Sequence, residues 1–482
     1  MQHNKYKKNL SEITNYCSES TELTKTFGKL LKGFKFSYIN SLLKKVKVKG
    51  VEPKNIFQIL LVIRFLDFSN IQQLMLSGYS KELKHQKDVL YDFMKNPLIN
   101  WRRIVWLFVK QVLSIIDKKS DNIQSDSPKC LIVDDSLLPK SGIKIELIGK
   151  VFDHCTRTYS LGIKLLTLGF WDGKLFIPLD FSFHNEQGKT KKRGLRAKDL
   201  QAQFSKKRDQ ITPGHTRETE ITKDKISVAL SMIKTAIKNK IKASYVLADS
   251  WFINEPFISG IKKIKKGLHV IGLMRTNRLI SINGKKYTAN RIPEIKQKQI
   301  KYSKKLKCHY IVQTITYKGI EMKAFWVRMK GQQTWKMLIS TDKNLTFIKA
   351  MRHYQIRWSI EVFFRDCKQN LSLNSCQSTD LDAHIASISI VFMNYMTLCL
   401  RKRFDAYETI GGLFKNSKEQ LLENTLVEKI WNILIELYNL ILAELGVEWE
   451  KFISKLIQNQ ENLEKQIKNT FECLFSLSKT AT

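Results

Sequence analysis

Acidic residues are scarce in this chain of 482 residues. Asp and Glu together number 44 against 82 Lys and Arg, which gives a formal net charge of +38. No fold requires such an excess, and the self-repulsion that it causes disfavours a compact state. A polyanionic partner explains the excess. Because the basic residues are spread along the chain and not gathered on one amphipathic segment, we expect nucleic acid and not a membrane surface.

Long hydrophobic runs are also missing. The first residues, MQHNKYKKNLSEIT, contain no apolar run of the kind found in a signal peptide. The longest uncharged apolar run, residues 385–400, is shorter than the roughly 20 residues of a membrane span. We therefore expect a buried helix there, no membrane partner and a cytoplasmic protein. The 43% of hydrophobic residues are enough for the cores of two to four domains.

Patterned metal ligands of the soft kind are absent as well. The eight cysteines are scattered without a C-x-x-C pair, so no zinc site or redox motif is indicated. We expect reduced, structural cysteines. The nine histidines form no pair at ligand spacing, and we expect His353 and His384 to be packing or surface residues.

The pattern of apolar residues divides the chain into four parts. Residues 1–124 have helical periodicity and suit a DNA-binding or dimerisation module, although a purely structural helical bundle fits them nearly as well. Residues 125–279 and 341–400 alternate strands and helices and predict an α/β core. Residues 280–340 are lysine-rich and predict a β-rich insertion, and residues 401–482 are again helical in pattern.

Three acids lie at points where an α/β core can bring them together. Asp134 ends the strand-like run KCLIVDDS, Asp249 ends ASYVLADSWF, and Glu361 lies on a later helix. Acids at the carboxyl ends of neighbouring strands face the crevice where open sheets bind ligands. Carboxylates packed this closely need a cation between them, and Mg²⁺ prefers oxygen ligands. Taken singly, each acid could instead be a turn or capping residue, which is the interpretation we keep for Asp172 and Asp180.

Residues 354–368, YQIRWSIEVFFRDCK, hold four polar residues at helical spacing. Tyr354, Arg357, Glu361 and Lys368 fall within roughly 60° of one another on a helical wheel, which predicts one polar stripe on one helix. The stripe could be a solvated salt-bridge face. It could also place a metal ligand, Glu361, beside groups that hold a phosphate. A separate apolar stripe would anchor the helix: Ile356, Ile360, Phe363 and Cys367.

With these residues the chain resembles the DDE transposases of the IS4 family. Their signature is Tyr, two residues, Arg, three residues, Glu, six residues, Lys, and residues 354–368 match it at every position. The resemblance covers roughly residues 125–400. It implies an RNase H-like core, a mixed sheet flanked by helices, which a β-rich domain interrupts between the second Asp and the Glu. It also implies a catalytic triad of Asp134, Asp249 and Glu361 that holds two Mg²⁺ or Mn²⁺ ions.

The resemblance further implies partners and chemistry. Tyr354, Arg357 and Lys368 would contact the phosphates of double-stranded DNA at the terminal inverted repeats of an insertion sequence. Water would cleave a strand at each end, and the freed 3′-hydroxyl would attack target DNA. Such enzymes act as at least a dimer in a synaptic complex, so we expect a homodimer on the bacterial nucleoid. Excision through a DNA hairpin is a route of some relatives and stays open.

Several assignments keep alternatives. Asp134 is preferred as the first ligand because Asp-x-Ser fits the resemblance with Asp134 leading, but Asp135 is the alternative. Lys140 resembles a phosphate contact that follows this strand in some relatives. Lys191, Lys192 and Arg193 belong to a cation-dense stretch for which we expect DNA contact, with a nuclear localisation signal as a weak alternative. Two other functions remain: a DNA-binding protein that no longer cuts, and an RNase H-like nuclease without strand transfer.

Overall fold

A computed structural model describes residues 34–64, 70–76, 86–119, 127–153, 156–188 and 190–404. Within residues 1–124 the described part is helical, as predicted. The prediction of helices for residues 401–482 lies outside the described residues from residue 405 onward.

In the described part of the chain, five helices precede the first strand: α1 (Phe36–Lys44), α2 (Pro53–Val62), α3 (Ile71–Leu76), α4 (Lys87–Lys95) and α5 (Trp101–Lys119). Pro53 occupies the first turn of α2, where its missing N–H costs no hydrogen bond. The long helix α5 connects this region to the rest of the core, because it packs against strand β4 and the late helix α13, defined below. Phe108 of α5 is fully buried and stacks on Phe34, with ring centroids 4.1 Å apart.

The centre of the fold is a mixed sheet. Its strands are β1 (Cys130–Pro139), β2 (Gly149–Asp153), β3 (Thr158–Trp171), β4 (Phe176–His184), β5 (Tyr245–Ala248) and β6 (His269–Met274). The strand β1 pairs antiparallel with β3 and parallel with β5, and β5 pairs parallel with β6. Both β2 and β4 pair antiparallel with β3 on its other side. This mixed sheet with flanking helices confirms the predicted RNase H-like fold class.

Helices between these strands make the parallel crossovers: α6 (Ala197–Gln201), α7 (Pro213–Glu220), α8 (Lys225–Lys238) and α9 (Glu255–Ile264). A parallel pair of strands cannot be joined by a tight turn, so a helix returns the chain across the sheet. The amphipathic helix α8 packs on β3 and β4, whereas α9 packs on β6. All nine residues of β4 are buried, because elements cover both of its faces.

The turn between β3 and β4 lies where Trp171-Asp172-Gly173-Lys174 predicts it. Gly173 has a φ of 108°, which favours glycine. The Asp172 carboxylate accepts hydrogen bonds from the backbone N–H groups of Lys174 and Leu175, at 2.8 and 2.7 Å. The interpretation of Asp172 as a turn residue is confirmed.

The predicted β-rich insertion continues the central sheet. Its strands are β7 (Leu279–Ile282), β8 (Lys285–Thr288), β9 (Lys301–Ser303), β10 (Cys308–Tyr317), β11 (Ile320–Met329) and β12 (Lys336–Ser340), with a short helix α10 (Ile292–Ile295). The hairpin β10–β11 is its longest pairing. Because β12 pairs antiparallel with β6, all twelve strands belong to one sheet. The domain boundaries themselves stay a prediction.

The helix α13 (Leu381–Phe404) contains the longest apolar run of the sequence. By length and composition, residues 381–400 could cross a membrane, yet the whole window is buried inside the protein. It packs against α5 and β4 and forms part of the hydrophobic core. This agrees with the prediction of a buried helix.

The segment that carries the signature is not one helix. It consists of α11 (Phe347–Gln355) and α12 (Trp358–Asn370), which meet at Ile356 and Arg357. The backbone N–H of Arg357 donates to the carbonyl of Tyr354, and the backbone N–H of Ile360 donates to the carbonyl of Arg357. These hydrogen bonds span three residues and not four, which tightens the chain at the junction. The predicted single helix is therefore wrong: Tyr354 lies on α11 and the other three signature residues lie at or beyond the junction. The predicted apolar anchor is largely confirmed, since Ile360, Phe363 and Cys367 are fully buried: all three are 0% exposed.

Candidate active site

Strand register places the first two acids side by side. In the parallel β1–β5 pair, Val133 is opposite Ala248. Asp134 and Asp249 are the next residues of their strands, so they lie at the same level at the end of β5. Here β1 continues alone beside β3, which leaves a crevice on the β5 side. Backbone N–H groups of Trp251 and Phe252 donate to the Asp249 carboxylate, at 2.9 and 3.4 Å, and fix its direction.

Arg357 connects the third acid to this pair. Its Nη1 donates to Oδ2 of Asp134 at 2.7 Å, and its Nη2 donates to Oε1 of Glu361. The helix α12 packs on β1, which brings Glu361 over the strand ends. Arg357 thus joins Asp134 to Glu361, and Asp249 lies beside Asp134 at the end of the β1–β5 pairing. A guanidinium lies between two of the acids, and the role of the three acids as one triad stays a prediction.

Burial dominates the electrostatics of the two carboxyl groups in the crevice. Burial and the neighbouring Asp249 carboxylate raise the pKa of Asp134 to about 7, although Arg357 opposes the shift. Burial also raises the pKa of Asp249, although the hydrogen bonds from two backbone N–H groups lower it in part. Two neighbouring carboxyls whose pKa values are raised by burial are typical of functional sites.

The remaining signature residues surround this centre. The guanidinium of Arg357 lies 5.8 Å from the ring centroid of Tyr354, which is partly buried and whose phenol pKa is raised by that burial. Lys368 lies on the same helix as Glu361 and is partly exposed. Both residues are therefore held by the two helices that form one wall of the crevice.

Asp134 and Asp135 have different surroundings. Neighbouring residues of a strand point to opposite faces of the sheet, and only Asp134 contacts Arg357. Asp135 accepts a hydrogen bond from Nζ of Lys225, at the start of α8, at 2.6 Å. These contacts favour Asp134 as the first ligand, in line with the sequence preference.

The other cations proposed from sequence lie elsewhere. Lys140 is buried, and its Nζ donates to the backbone carbonyls of Asn374 and Cys376 at 3.1 and 2.6 Å. Its predicted phosphate contact is not supported, because a buried ammonium bound to two carbonyls has a structural role. Lys191 and Lys192 are exposed on the loop before α6. In contrast, the Nη2 of Arg193 donates to Gln203 at 2.8 Å.

The side chains at this site offer the donor type of a hard divalent cation, but Asp134, Asp249 and Glu361 are not close enough together in this arrangement to hold one. Their donors are carboxylate oxygens, which Mg²⁺ prefers. Thr167, opposite Asp134 in the β1–β3 ladder, is fully buried and its hydroxyl has no hydrogen-bond partner. A hydrated ion held by Asp134 and Asp249 would relieve both the charge repulsion and this unpaired hydroxyl. Among the described residues, no group of three or more His, Cys, Asp or Glu is close enough to hold a metal ion, so neither His353 nor His384 belongs to such a group.

Sequence reasoning missed two contributors. Lys225 pairs with Asp135 and also lies 4.3 Å from the ring centroid of Trp251, a partly exposed residue two positions after Asp249. Asp180 was predicted to be a turn or capping residue, but it lies inside β4, is buried, and accepts a hydrogen bond from Nε of Arg102 at 2.8 Å. These contacts join residues 90 and 78 positions apart, so no local spacing could have indicated them.

Comparison with known proteins identifies a family for this chain, and the match ends before residues 354–368. The family model of the DDE superfamily endonucleases matches residues 71–312, half of the chain, including both strand-end acids. No curated protein matches the chain. One solved structure, the synaptic complex of the piggyBac transposase with hairpin DNA, is similar with a TM-score of 0.40 and 12% identity over 83% of this chain and 79% of that one. A likeness at that level carries no argument. On the family match, the chain belongs to the DDE superfamily endonucleases.

Proposed function

We propose that this endonuclease is the transposase of an insertion sequence, of the IS4 type, that cuts and joins DNA at the ends of its own element. The observation that carries the proposal is the meeting of Asp134 and Asp249 at adjacent strand ends with Glu361 and Arg357 from the signature segment. An excess of 38 positive charges supports a DNA partner.

Each residue has a proposed role. Asp134, Asp249 and Glu361 would hold divalent ions, Mg²⁺ or Mn²⁺ and two per site, as endonucleases of this superfamily generally use divalent metals. Such ions, when bound, activate the attacking oxygen and stabilise the leaving oxygen of a phosphodiester. Arg357, Lys368 and Tyr354 would bind and orient the phosphates next to the scissile bond.

The proposed reaction has two steps at each end of the element. In the first, the oxygen of water bonds to the scissile phosphorus, the bond to the 3′-oxygen breaks, and a 3′-hydroxyl is released. In the second, that hydroxyl attacks a phosphodiester of target DNA, so one bond forms as another breaks. Terminal inverted repeats and target DNA are the proposed partners, a homodimer the proposed assembly, and the bacterial cytoplasm the proposed location.

The proposed domain roles follow the sequence division. Residues 1–124 would bind DNA or another copy of the chain, and residues 280–340 would extend the basic surface beside the crevice. In residues 301–307 of the insertion, KYSKKLK, four of seven residues are lysine. Exposed lysines attract phosphate without reading sequence.

A cleavage assay tests the proposal. Wild-type protein and Glu361→Gln are incubated with the terminal DNA of the element, a target plasmid and Mg²⁺. We expect the wild type to nick at the element ends and join them to the target, whereas Glu361→Gln binds the DNA and does neither. Glu321→Gln is the matched control, since Glu321 is an exposed acid of the insertion that pairs with Lys343. Wild-type binding without cleavage would instead make the chain a DNA-binding protein, and nicking without joining would make it a nuclease.

A further inference from the structure

Arg357, which is proposed to bind phosphate, also contacts two of the proposed metal ligands. We propose that Arg357 is an exchangeable counter-cation that holds Asp134 and Glu361 in the absence of DNA, competes there with the divalent ion, and moves to a DNA phosphate when the substrate arrives. This inference rests on the proposed function and concerns the regulation of the same site. It makes binding of metal and of DNA mutually dependent.

The contacts of Arg357 support the first half of this proposal. Its two terminal nitrogens donate to different acids, Nη1 to Asp134 and Nη2 to Glu361. The Arg357 side chain is only 16% exposed, and Tyr354 lies against it. An arginine guanidinium keeps its positive charge throughout the pH range in which proteins are folded. The side chain therefore stays a cation in this position.

The same contacts oppose the binding of a metal ion at these acids, although each carboxylate keeps one oxygen outside the guanidinium contact. A carboxylate oxygen that accepts from a guanidinium has that lone pair occupied, and a divalent ion at Asp134 would be repelled by the fixed charge of Arg357 a few ångströms away. Two of the three proposed ligands are affected, whereas the hydrogen bonds to Asp249 come from the backbone N–H groups of Trp251 and Phe252. Metal affinity should therefore be low until Arg357 leaves.

A phosphate is the partner that would remove it. The guanidinium fork binds phosphate oxygens in a bidentate manner through its N–H pairs. In the present arrangement both terminal nitrogens are directed to carboxylates, so a phosphate that takes up both of these nitrogens competes with the two acids. The released carboxylate is then available to a metal ion, and the lost cation is replaced by one of higher charge.

The exchange predicts positive coupling between the two ligands. If DNA removes Arg357 from the acids, DNA must raise the affinity for metal, and by linkage metal must raise the affinity for DNA by the same factor. Couplings of this kind are typically about 5- to 150-fold. A cleavage centre that assembles its metal site only on DNA would not hydrolyse other phosphodiesters.

The decisive experiment measures Mn²⁺ binding without DNA, by electron paramagnetic resonance of free Mn²⁺, and requires no cleavage. We expect Arg357→Gln to bind Mn²⁺ about 10-fold more tightly than the wild type. Lys225→Gln is the matched control, because Lys225 bonds at 2.6 Å to Asp135, the next residue of the same strand. It should change the affinity much less. Arg357→Lys, which keeps the charge but cannot bridge both carboxylates, should be intermediate and serves as the test if the glutamine variant does not fold.

A second arm measures DNA affinity by fluorescence anisotropy with and without Mn²⁺ at constant ionic strength. In the wild type Mn²⁺ should tighten binding, against its general screening effect, and this gain should shrink in Arg357→Gln. Wild-type or weaker Mn²⁺ affinity in Arg357→Gln without DNA would overturn the inference, as would an equal gain in Lys225→Gln. Neither result would affect the proposed function, which fails only if wild-type protein does not cut element ends.

Discussion

The buried guanidinium of Arg208 offers a sharp test of how the core is held together. Its Nη1 and Nη2 donate to the two carboxylate oxygens of Glu146 at 2.7 Å each, and its Nε donates to Asp382 at 3.0 Å. The Arg208 side chain is 0% exposed and both acids are 3% exposed. Arg208 thus connects the loop after β1 to the first turn of α13, which packs on the sheet behind the crevice.

Arg208→Leu removes three charge-assisted hydrogen bonds and leaves two buried carboxylates with one fewer cation. Lys206 still reaches Asp382 at 3.0 Å, but no other cationic side chain in the described part of the chain pairs with Glu146. Removing one partner of a buried ion pair costs about 3–5 kcal/mol, because an uncompensated charge stays inside. We expect a loss of this size in the free energy of unfolding.

Urea denaturation followed by circular dichroism measures this loss, with Arg196→Ala as the control. Arg196 also pairs with an acid, Asp199, at 2.9 Å, but its side chain is 61% exposed. Exposed pairs contribute about 0.2–1 kcal/mol, so the control should hardly move the midpoint. If Arg208→Leu costs no more than Arg196→Ala, burial does not make this network strong and the reasoning is wrong.

Three further predictions follow from other features. Gly169→Ala should lower the free energy of unfolding by about 1–3 kcal/mol, because the added Cβ would lie 2.0 Å from the ring of Phe176. It should also reduce cleavage, since Phe176 packs on Phe363 of α12. A thermal stability equal to that of the wild type would contradict this. Burial alone would raise the pKa of Glu146, but the ion pair with Arg208 lowers it below 4.5. The pair therefore stabilises the fold fully above pH 4.5, and the urea midpoint should fall as the pH drops through the lowered folded-state pKa. An equal fall in Arg208→Leu would show that the Glu146–Arg208 pair does not cause it. Affinity for duplex DNA should fall about 10³-fold or more between 50 and 200 mM salt if six or more phosphates are contacted, and a flat response would sink the nucleic-acid interpretation.

The parts of the fold that the sequence predicted are those with a local signal. Asp249 follows the short buried strand β5, the turn at Asp172-Gly173 has its own chemistry, and the apolar run of α13 is continuous. Each depends on period or turn residues, which are readable within about ten positions. The signature spacing identified Arg357 and Glu361 as neighbours for the same reason. Asp134 follows four buried residues but lies inside the ten-residue β1, so the prediction that it ends its strand is wrong.

The parts that were missed depend on distant residues. Lys140 looked like a surface cation, but its carbonyl partners lie 234 and 236 positions later. The junction at Ile356 and Arg357 contains neither Pro nor Gly, so no local residue announced the break between α11 and α12. The position of the Arg357 guanidinium between two acids is likewise set by packing of α12 on β1, which spacing does not encode.

Cleavage by Asp134→Asn and Asp135→Asn, compared on element-end DNA with Mg²⁺, tests the central claim most directly. The two residues are adjacent and each loses one carboxylate, but Asp134 is bonded to Arg357 in the crevice and Asp135 to Lys225 at α8. We expect Asp134→Asn to abolish both nicking and joining, and Asp135→Asn to retain both activities. Full cleavage by Asp134→Asn would contradict it, whatever Asp135→Asn does.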